Sequence, residues 1–387
     1  MTDTDTDPRH PSRAQGARRG SATVPRVTDD FWAVIPAGGA GTRLWPMSRA
    51  ASPKFLHDLT GTGRSLLRAT RDRLADLCDD RMLVVTGRAH ADAVARQLPE
   101  LPPTSVLAEP SPRDSMAAIG LAAAVLEQRD PNIVLGSFAA DHVIADEPAF
   151  RAAVVQATAV ARAGFLVTIG IEPDRPATGF GYIELGAPLV ISGAPDAHRV
   201  SSFVEKPDEP TARGYLASGR YRWNAGMFVV RAGVLLELLA QWHPELAAGL
   251  RAIAADPSTL DAAWPGLEKI AIDHAVAEPA AAQDRVAVIP GGFGWDDVGD
   301  FDSLGTLLAD SGGVAGLKVV GDADLVVAVD ATGVIVPGTG RTVAVVGLPG
   351  VVVVDTPDAL LVTTRERAQD VKAVVDRLKS TGRAGLT

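Results

Sequence analysis

Cysteine is almost absent from this chain of 387 residues. Cys78 is the only one, so no intrachain disulfide can form, and the cytoplasm is the expected location because a reducing compartment fits. Excess positive charge is absent too, since the formal net charge is -10 at pH 7. That balance argues against broad electrostatic binding to nucleic acid or to an anionic membrane. A phosphate site must therefore be local, made from a few placed cations, backbone amides or a metal ion.

Long apolar runs are also missing. Val-rich and Ala-rich stretches are frequent, but none reaches membrane-spanning length. The first thirty residues resemble neither a secretory signal nor a membrane anchor, so we expect residues 1–30 to form a disordered tail. With 47% hydrophobic and 22% charged residues, the rest has an ordinary globular balance and is long enough for one large domain plus a smaller one.

Short apolar runs alternate with helix-like segments from residue 31 onward. Predicted strands occupy residues 31–36, 82–86, 105–108, 133–137 and 165–171. Predicted helices lie between them at residues 65–77, 91–98, 115–128 and 148–162. The alternation predicts an α/β domain over residues 31–311 with a mostly parallel, Rossmann-like sheet, whose ligand binds at the carboxyl ends of the strands.

Val-rich runs broken by Gly, Pro and Asp replace this alternation from about residue 312. Short strands are predicted at residues 325–329, 333–336, 342–346 and 351–354. Their regular spacing favours a small β-helix or β-roll. A closing helix is predicted over residues 367–379. Its apolar face would carry Val371, Val374, Val375 and Leu378. We expect residues 312–387 to cap the first domain or to pair with another subunit as a homodimer.

A glycine-rich turn follows the first predicted strand and has the sequence GGAGTR at residues 38–43. Glycines let backbone N–H groups approach an anion that a Cβ would push away, so the turn is typical of a phosphate-binding loop. It is not a Walker loop, because no Gly-Lys-Ser/Thr ends it. It is not the dinucleotide fingerprint either, because Leu44 stands where a third glycine should be. From the glycines alone, a plain tight turn is an equal alternative.

Two cations, Arg43 and Lys54, flank this loop, and nearby prolines would fix the directions of their side chains. Solvated surface charge is the alternative for any Lys or Arg. Lysine is scarce here, however, with six residues in the whole chain at positions 54, 206, 269, 318, 372 and 379. Lys54 and Lys206 both adjoin prolines in motif-like stretches, which indicates that a compact ammonium group is needed there.

Acidic residues follow at two distant points of the chain. Asp141 comes just after the strand predicted to end at residue 137, so it should emerge at the ligand edge of the sheet. We expect it to bind Mg²⁺, which prefers carboxylate and phosphate oxygens, with a helix cap as the alternative. Asp296 and Asp297 form a second pair, for which an Asx turn is the alternative. His142 is interpreted as a structural group, because no His/Cys spacing suits zinc.

Three stretches between the acidic sites suit a sugar phosphate. They are GFGY at residues 179–182, VEKP at residues 204–207 and WNAGMF at residues 223–228. Glu205 and Asn224 could bind hydroxyl groups, and Lys206 could bind a phosphate. Glycines such as Gly181 and Gly226 would allow a sugar ring to approach closely.

Six stretches, taken in chain order, resemble the motifs of mannose-1-phosphate guanylyltransferases, which belong to the sugar nucleotidyltransferase superfamily. They lie at residues 38–54, 109–115, 136–142, 203–207, 223–227 and 295–299. The resemblance covers residues 31 to about 305 and continues more weakly into the Val-rich end of the chain. One departure is Phe55, where many family members have Gln, and it bears on the base pocket more than on the chemistry.

The resemblance implies a nucleotidyltransferase-type domain followed by a β-helix, and a transfer of GMP from GTP to α-D-mannose 1-phosphate. The products would be GDP-mannose and pyrophosphate. A related enzyme using another sugar or base is the first alternative, and a non-catalytic regulatory homologue is the second. The attacking phosphate oxygen is already ionised at neutral pH, so the site needs positioning and charge neutralisation rather than a protein nucleophile.

The resemblance also assigns roles to residues. The triphosphate would be held by Gly38, Gly39, Gly41, Thr42 and Arg43, with Lys54 assisting. Mg²⁺ would be held by Asp141 and Asp297, in preference to Asp296. Purine contacts would come from Glu109, Arg113 and Asp114. The catalytic set implied in this way is Arg43, Lys54, Asp141 and Asp297, and the sugar phosphate would contact Gly181, Glu205, Lys206, Asn224 and Gly226.

Overall fold

The computed structural model describes residues 30–308 and 316–387. Residues 1–29 of the predicted tail and the predicted domain boundary between residues 311 and 312 lie outside these ranges. Within them, no helix is both long and apolar enough to cross a membrane.

The first domain is built around one nine-stranded sheet. Its strands, with two short ones beside it, are β1 Phe31–Ala37, β2 Met82–Gly87, β3 Val106–Glu109, β4 Val134–Ser137, β5 Val143–Ile144, β6 Leu166–Ile171, β7 Gly181–Pro188, β8 His198–Val204, β9 Tyr221–Arg231, β10 Val286–Gly291 and β11 Trp295–Asp296. The spatial order in the sheet is β3-β2-β1-β4-β9-β6-β10-β8-β7. Strands β1 to β4 pair in parallel, whereas β8 and β9 run against their neighbours. The short strands β5 and β11 pair with each other.

Helices cover both faces of this sheet. They are α1 Leu66–Cys78, α2 Ala91–Gln97, α3 Asp114–Glu127, α4 Glu147–Arg162, α5 Glu209–Ser218, α6 Ala232–Trp242, α7 Pro244–Ala255, α8 Leu260–Ala263, α9 Glu278–Ala282 and α10 Phe301–Leu307. Successive side chains of β1 point to opposite faces, so Ile35 packs in the core with α1 and α4 while Val34 packs in the core with α3 and α6. The predicted α/β class is confirmed, and each predicted strand matches an observed one to within a few residues.

Local chemistry explains where two of the helices begin. The Ser65 side chain accepts a hydrogen bond from the Arg68 amide at the start of α1. Asp146 does the same for the Ala149 amide at the start of α4. Asp146 is therefore the cap of the helix after β4, and the cap predicted as the alternative role of Asp141 is already supplied by another residue.

The C-terminal domain is a short parallel β-helix. Its strands are β12 Leu317–Val319, β13 Val326–Val329, β14 Gly333–Pro337, β15 Val343–Val346, β16 Val351–Thr356 and β17 Ala359–Thr364. β12, β14 and β16 stack in parallel on one side, β13 and β15 stack on another, and β17 closes the stack antiparallel to β16. A Cβ at Gly333 would lie 1.9 Å from the Val351 carbonyl oxygen, so only glycine permits this close stacking.

A 3₁₀ helix, Arg365–Asp370, and helix α11, Val371–Ser380, follow β17. Val371, Val375 and Leu378 are buried, as predicted. Val374 was predicted to lie on the same face, but it is 38% exposed. The first turn of the predicted helix is 3₁₀, and Val374 lies at the edge of the apolar stripe rather than within it.

The two domains share an apolar cluster. It joins Leu44 and Trp45 of the first domain to Val334 of β14 and Val375 of α11. Trp45 Nε1 donates a hydrogen bond to the Leu386 carbonyl oxygen at 2.7 Å. The C-terminal domain therefore packs directly against the residues that follow the glycine-rich turn.

A bidentate ion pair adds to this contact. Arg49 donates from Nη1 and Nη2 to the Asp358 carboxylate, at 2.7 and 2.5 Å. Fork-shaped pairs of this kind fix direction as well as distance. The segment after the glycine-rich turn is thus held to the C-terminal domain both by apolar packing and by a directed ion pair.

Candidate active site

The glycine-rich turn leaves β1 at the carboxyl edge of the sheet. Gly39 and Gly41 have φ angles of 85° and 54°, in the left-handed region that favours glycine. A Cβ on Gly41 would lie 2.6 Å from Ser48 Oγ and 3.2 Å from Lys54 Cγ. Ser48 Oγ in turn donates to the Ala40 carbonyl oxygen at 2.8 Å. The absence of a side chain at Gly41 therefore lets the turn pack tightly over Lys54.

Lys54 connects the turn to both acidic segments. Its Nζ lies 3.0 Å from Asp141 Oδ2 and donates to the carbonyl oxygens of Asp297 at 2.6 Å and Val298 at 3.3 Å. The Lys54 side chain is only 11% exposed, so the ammonium group is largely shielded from water. Lys54, Asp141 and Asp297, predicted from three separate motifs, thus meet at one point.

The two neighbouring aspartates differ in what they bind. Asp296 Oδ1 accepts from the Val298 amide at 2.6 Å and from the Ser303 hydroxyl. The Asx turn predicted as an alternative for this pair is therefore made by Asp296. Burial raises the pKa of Asp297, although Lys54 opposes the shift. Because Asp296 is engaged in this turn, Asp297 stays the metal ligand predicted from the family resemblance.

The donor set suits a hard cation. The Asp141 carboxylate contacts Lys54 Nζ, and the Asp297 carboxyl group is near enough for the Lys54 charge to act on its pKa. Mg²⁺ is commonly held by one or two carboxylates, with the rest of its ligands from phosphates and water. The described residues contain no group of three or more His, Cys, Asp and Glu side chains arranged to hold a metal ion. Asp141 and Asp297 with substrate phosphates therefore fit a Mg²⁺ site, and a site made by protein ligands alone does not.

His142 packs beside this cluster. Its ring lies edge-on to Trp295, with the ring centroids 5.3 Å apart. Burial lowers the pKa of His142 to about 4, so the imidazole is neutral at physiological pH. Both features suit the structural role predicted for it.

Arg43 lies above the cluster in a cleft of about 660 Å³, which also exposes Asp297, Arg175 and Arg365. Arg43 Nη1 donates to Gln369 Oε1 at 3.0 Å, and Gln369 Nε2 donates to Asp300 Oδ2. Gln369 belongs to the C-terminal domain, for which the sequence predicted no site residue. The cleft is therefore lined by both domains.

The predicted purine contacts begin at the end of β3, which is an edge strand of the sheet. Glu109 is the last residue of β3, two strands from β1 and hence roughly 10 Å away along the sheet. Its Oε1 is buried and has no hydrogen-bond partner among the residues described. Burial raises the pKa of Glu109 to about 7. A buried, unpaired carboxylate at the ligand edge is suited to accept hydrogen bonds from a ligand.

Arg113 and Asp114 are differently engaged. Arg113 donates to the Pro265 carbonyl oxygen, and Asp114 Oδ1 accepts from the Ser115 amide at 2.9 Å. Asp114 begins α3 with a φ of 64°. A hydrogen bond to Glu205 raises the pKa of Lys206, and the charge of Asp114 adds to that increase. Asp114 thus acts electrostatically on a residue predicted for the sugar phosphate, and its purine contact stays a prediction.

The sugar-side residues gather around β7 and β9. Lys206 Nζ donates to Glu205 Oε1 at 2.5 Å. A Cβ on Gly181 would lie 2.3 Å from Glu205 Oε2, which is buried and has no partner in the described part of the chain. Asn224 Oδ1 accepts from the Gly226 amide at 3.2 Å. The five residues predicted from these stretches therefore lie together.

Asp273 completes this group, and the sequence analysis missed it. Asn224 Nδ2 donates to Asp273 Oδ1 at 2.6 Å. Asp273 begins a π-helical turn, Asp273–Ala277, a rare conformation that occurs often at functional sites. Burial, followed by the charge of Glu205, raises the pKa of Asp273 to about 6. Residues 270–277 are apolar except for Asp273 and His274, a pattern that does not distinguish Asp273 from an ordinary surface acid, so the local sequence carried no signal for it.

Strand order arranges these groups along one edge. Glu109 ends β3, the glycine-rich turn follows β1, Asp141 follows β4, and Asn224 lies on β9, so the four stand in that spatial order. A buried carboxylate is at one end, cations and a candidate metal pair are in the middle, and carboxylate and amide groups able to bind hydroxyls are at the other end. Such a row can accommodate a long ligand with a charged centre.

Both parts of the chain match known families. The sequence matches the nucleotidyl transferase family over residues 32–311 and the MannoseP isomerase/GMP-like beta-helix domain over residues 324–378. It is 42% identical over 368 residues to the xanthan biosynthesis protein XanB of Xanthomonas campestris. The aligned region covers 92% of this chain and 75% of that protein. It is 40% identical over 366 residues to a mannose-1-phosphate guanylyltransferase of Escherichia coli, with 91% of this chain and 74% of that protein covered.

A solved structure is similar over nearly the same length. It is a protein of Thermus thermophilus described as a mannose-1-phosphate geranyltransferase, with a TM-score of 0.80 and 35% sequence identity. The similarity covers 90% of this chain and 99% of that chain. Fold, domain order and sequence therefore agree on one group of relatives.

Proposed function

This chain belongs to the nucleotidyl transferase family, and from that premise we propose that it transfers GMP from GTP to α-D-mannose 1-phosphate, giving GDP-mannose and pyrophosphate. The proposal is supported by the relatives named mannose-1-phosphate guanylyltransferase, which are 36–40% identical to this chain over 90–92% of its length. The observation that carries it is the meeting of Lys54, Asp141 and Asp297 beneath a glycine-rich turn. That arrangement suits a triphosphate flanked by a base and a sugar phosphate.

The residues would perform three tasks. Backbone amides of the turn, from Gly38 to Thr42, bind phosphate oxygens, while Arg43 and Lys54 neutralise charge as pyrophosphate leaves. The sugar-side group holds the mannose 1-phosphate so that its phosphate oxygen faces the α-phosphorus in line. No side chain needs to take a proton, because the attacking oxygen is already ionised at neutral pH.

Members of this family generally use a divalent metal ion, and we assign Mg²⁺ to Asp141 and Asp297. When bound, the ion would add positive charge at the phosphates. Lys54, which contacts Asp141 directly, would share that task and hold the Asp141 carboxylate in place.

Recognition of the two ends uses different groups. Glu109, with an unpaired buried oxygen, would accept hydrogen bonds from the N–H groups of guanine, with Arg113 and Asp114 nearby on the following turn. Glu205 and Asn224 would bind sugar hydroxyls, Lys206 the sugar phosphate, and Gly181 and Gly226 would give the ring room. We add Asp273 to the hydroxyl-binding group, because it is bonded to Asn224.

A substrate panel tests the function. Pyrophosphate release is measured with four nucleoside triphosphates against several sugar 1-phosphates, and GTP with mannose 1-phosphate should give the highest kcat/KM. A higher value for another pair would replace the proposed substrates by those of a related nucleotidyltransferase. Release from no pair at all would favour a non-catalytic homologue. Asp141→Ala serves as the matched blank for contaminating activity.

We further propose that two copies associate through the C-terminal domain in the cytoplasm. Val346, Leu348, Leu360 and Val362 line one apolar groove and are 48–67% exposed. Exposed apolar side chains in a group are typical of association surfaces. Light scattering on the parent and on Val346→Lys with Val362→Lys tests this, and a parent that is a monomer at micromolar concentration would refute it.

A further inference from the structure

Gln369 is the residue through which the C-terminal domain reaches the phosphate end of the site. It lies in the 3₁₀ helix Arg365–Asp370, 326 residues from Arg43 in sequence. Its Oε1 accepts from Arg43 Nη1 at 3.0 Å, while its Nε2 donates to Asp300 Oδ2. One amide thus joins a predicted catalytic arginine to a carboxylate of the first domain.

The chemistry of the amide fixes the direction of this link. A carboxylate can only accept, so Asp300 requires the nitrogen of the Gln369 amide, and the oxygen must then point to Arg43. Asp300 itself is held, because its Oδ1 accepts from the amides of Asp302 at 2.8 Å and Ser303 at 3.0 Å at the start of α10. The oxygen that meets Arg43 is therefore oriented by a fixed group.

The backbone of Arg43 is supported from the same side. Leu44 and Trp45, its next two residues, are buried against α11, and Trp45 Nε1 donates to the Leu386 carbonyl oxygen. A guanidinium group has five N–H donors, so one bond to Gln369 leaves the others free to bind phosphate. Both the backbone and the side chain of Arg43 are thus held by the C-terminal domain. The guanidinium group still has N–H donors available for a phosphate.

We propose that Gln369 is a positioning residue for Arg43. It holds the guanidinium over the cleft in an orientation that suits the charge developing on the triphosphate, so the reaction requires less reorganisation. This inference rests on the proposed nucleotidyl transfer, in which Arg43 contacts the phosphates and Gln369 acts only through Arg43.

Gln369→Met is the decisive variant, because it keeps nearly the same shape while removing both hydrogen bonds. We expect kcat to fall about tenfold, as for loss of one hydrogen bond to a charged group, with KM for the sugar phosphate unchanged. Arg367→Ala is the matched control. Arg367 lies in the same 3₁₀ helix, is exposed, and forms its ion pair with the neighbouring Asp370, so its loss should leave kcat unchanged.

A double-mutant cycle separates positioning from a purely structural contact. If Gln369 acts through Arg43, Gln369→Met should have no further effect on kcat in an Arg43→Ala background, and the thermal unfolding midpoint should match that of the parent. A further tenfold loss in that background, an unchanged kcat in the single variant, or a raised kcat would each overturn the inference. A parent inactive with every substrate pair would instead refute the proposed function, so the two failures are distinguishable.

Discussion

The proposed phosphate end and the proposed sugar end of this site differ in their balance of cations and acids. The phosphate end combines a glycine-rich turn with Arg43 and Lys54, whose side chains contact Gln369 and Asp141. The sugar end combines Glu205 and Asp273, two carboxylates, with Asn224 bonded to one of them. The first would offer two cations and a candidate metal pair to the triphosphate, and the second would offer several acceptors to hydroxyl groups and Lys206 to the sugar phosphate. The contrast teaches that the balance of cations and acids, rather than the presence of either, would distinguish the two ends.

The strongest test of the contrast removes an acid from the phosphate end. Asp141→Ala should lower turnover about 10³-fold or more, since a cation and the Lys54 contact both depend on it. Asp297→Ala should have the same effect, and Asp296→Ala a milder one, because Asp296 mainly bonds Val298 and Ser303. Mg²⁺-dependent pyrophosphate release is the measurement. Near-normal activity of Asp141→Ala would refute its role as a metal ligand. A larger loss in Asp296→Ala than in Asp297→Ala would identify Asp296, rather than Asp297, as the second metal ligand.

Arg43 should come next in effect. Removing one preorganised charge-stabilising donor costs roughly 10²–10³ in kcat, or about 2.7–4 kcal/mol, so Arg43→Ala should reach that range. Arg43→Lys should restore only part of the rate, because lysine keeps the charge but not the planar fork. GTP is varied at saturating mannose 1-phosphate. A higher KM with kcat unchanged would mean that Arg43 only binds GTP.

A smaller loss is expected at the sugar end. Asp273→Asn should raise KM for mannose 1-phosphate about tenfold and leave KM for GTP unchanged, because a charged acceptor becomes neutral. Below the Asp273 pKa of about 6 the wild-type carboxyl is protonated, so its KM should rise as the pH falls. The variant should retain only the pH dependence of the sugar phosphate itself. Identical pH profiles for both enzymes would contradict the hydroxyl-binding role.

Glu109 should also affect stability, separately from its proposed contact with guanine. Its pKa rises from 4.5 to about 7 on folding, so the folded state holds the proton more tightly, and the free energy of unfolding should fall as pH rises from about 4.5 to 7. Glu109→Gln removes this loss and should be more stable at pH 8 by at most about 3 kcal/mol. Urea unfolding at pH 4 and pH 8 measures it. A variant less stable than the parent at pH 8 would show that the ionised carboxylate is favoured by an unseen partner.

Most residues of the proposed phosphate end could be predicted from local sequence patterns. The glycine turn, Lys54 and Asp141 could be predicted because glycines and charged residues just after a strand are typical of a ligand-binding turn in an α/β sheet. Each predicted strand was also found, since apolar runs between Gly and Pro persist in the fold. The antiparallel position of β9 between β4 and β6 could not be predicted, because local sequence does not determine which distant strands pair.

Gln369 and Asp273 could not be predicted for different reasons. Gln369 is an exposed residue in a short turn, and only the packing of the C-terminal domain brings it to Arg43. Asp273 depends on a π-helical turn, which an apolar pattern does not distinguish from an α-helix. Both residues can be recognised as candidate site residues only from the tertiary structure, in contrast to the glycine-rich turn.

The contact between Trp45 and Leu386 has a consequence for synthesis on the ribosome. The two residues are 341 positions apart, and at a translation rate of 5–20 residues per second that separation corresponds to roughly 20–70 s. Throughout this interval the nascent phosphate loop lacks its supporting surface, while its apolar side chains Leu44 and Trp45 have no α11 to cover them. The glycine-rich turn can therefore reach its final packing only after residue 386 has been synthesised.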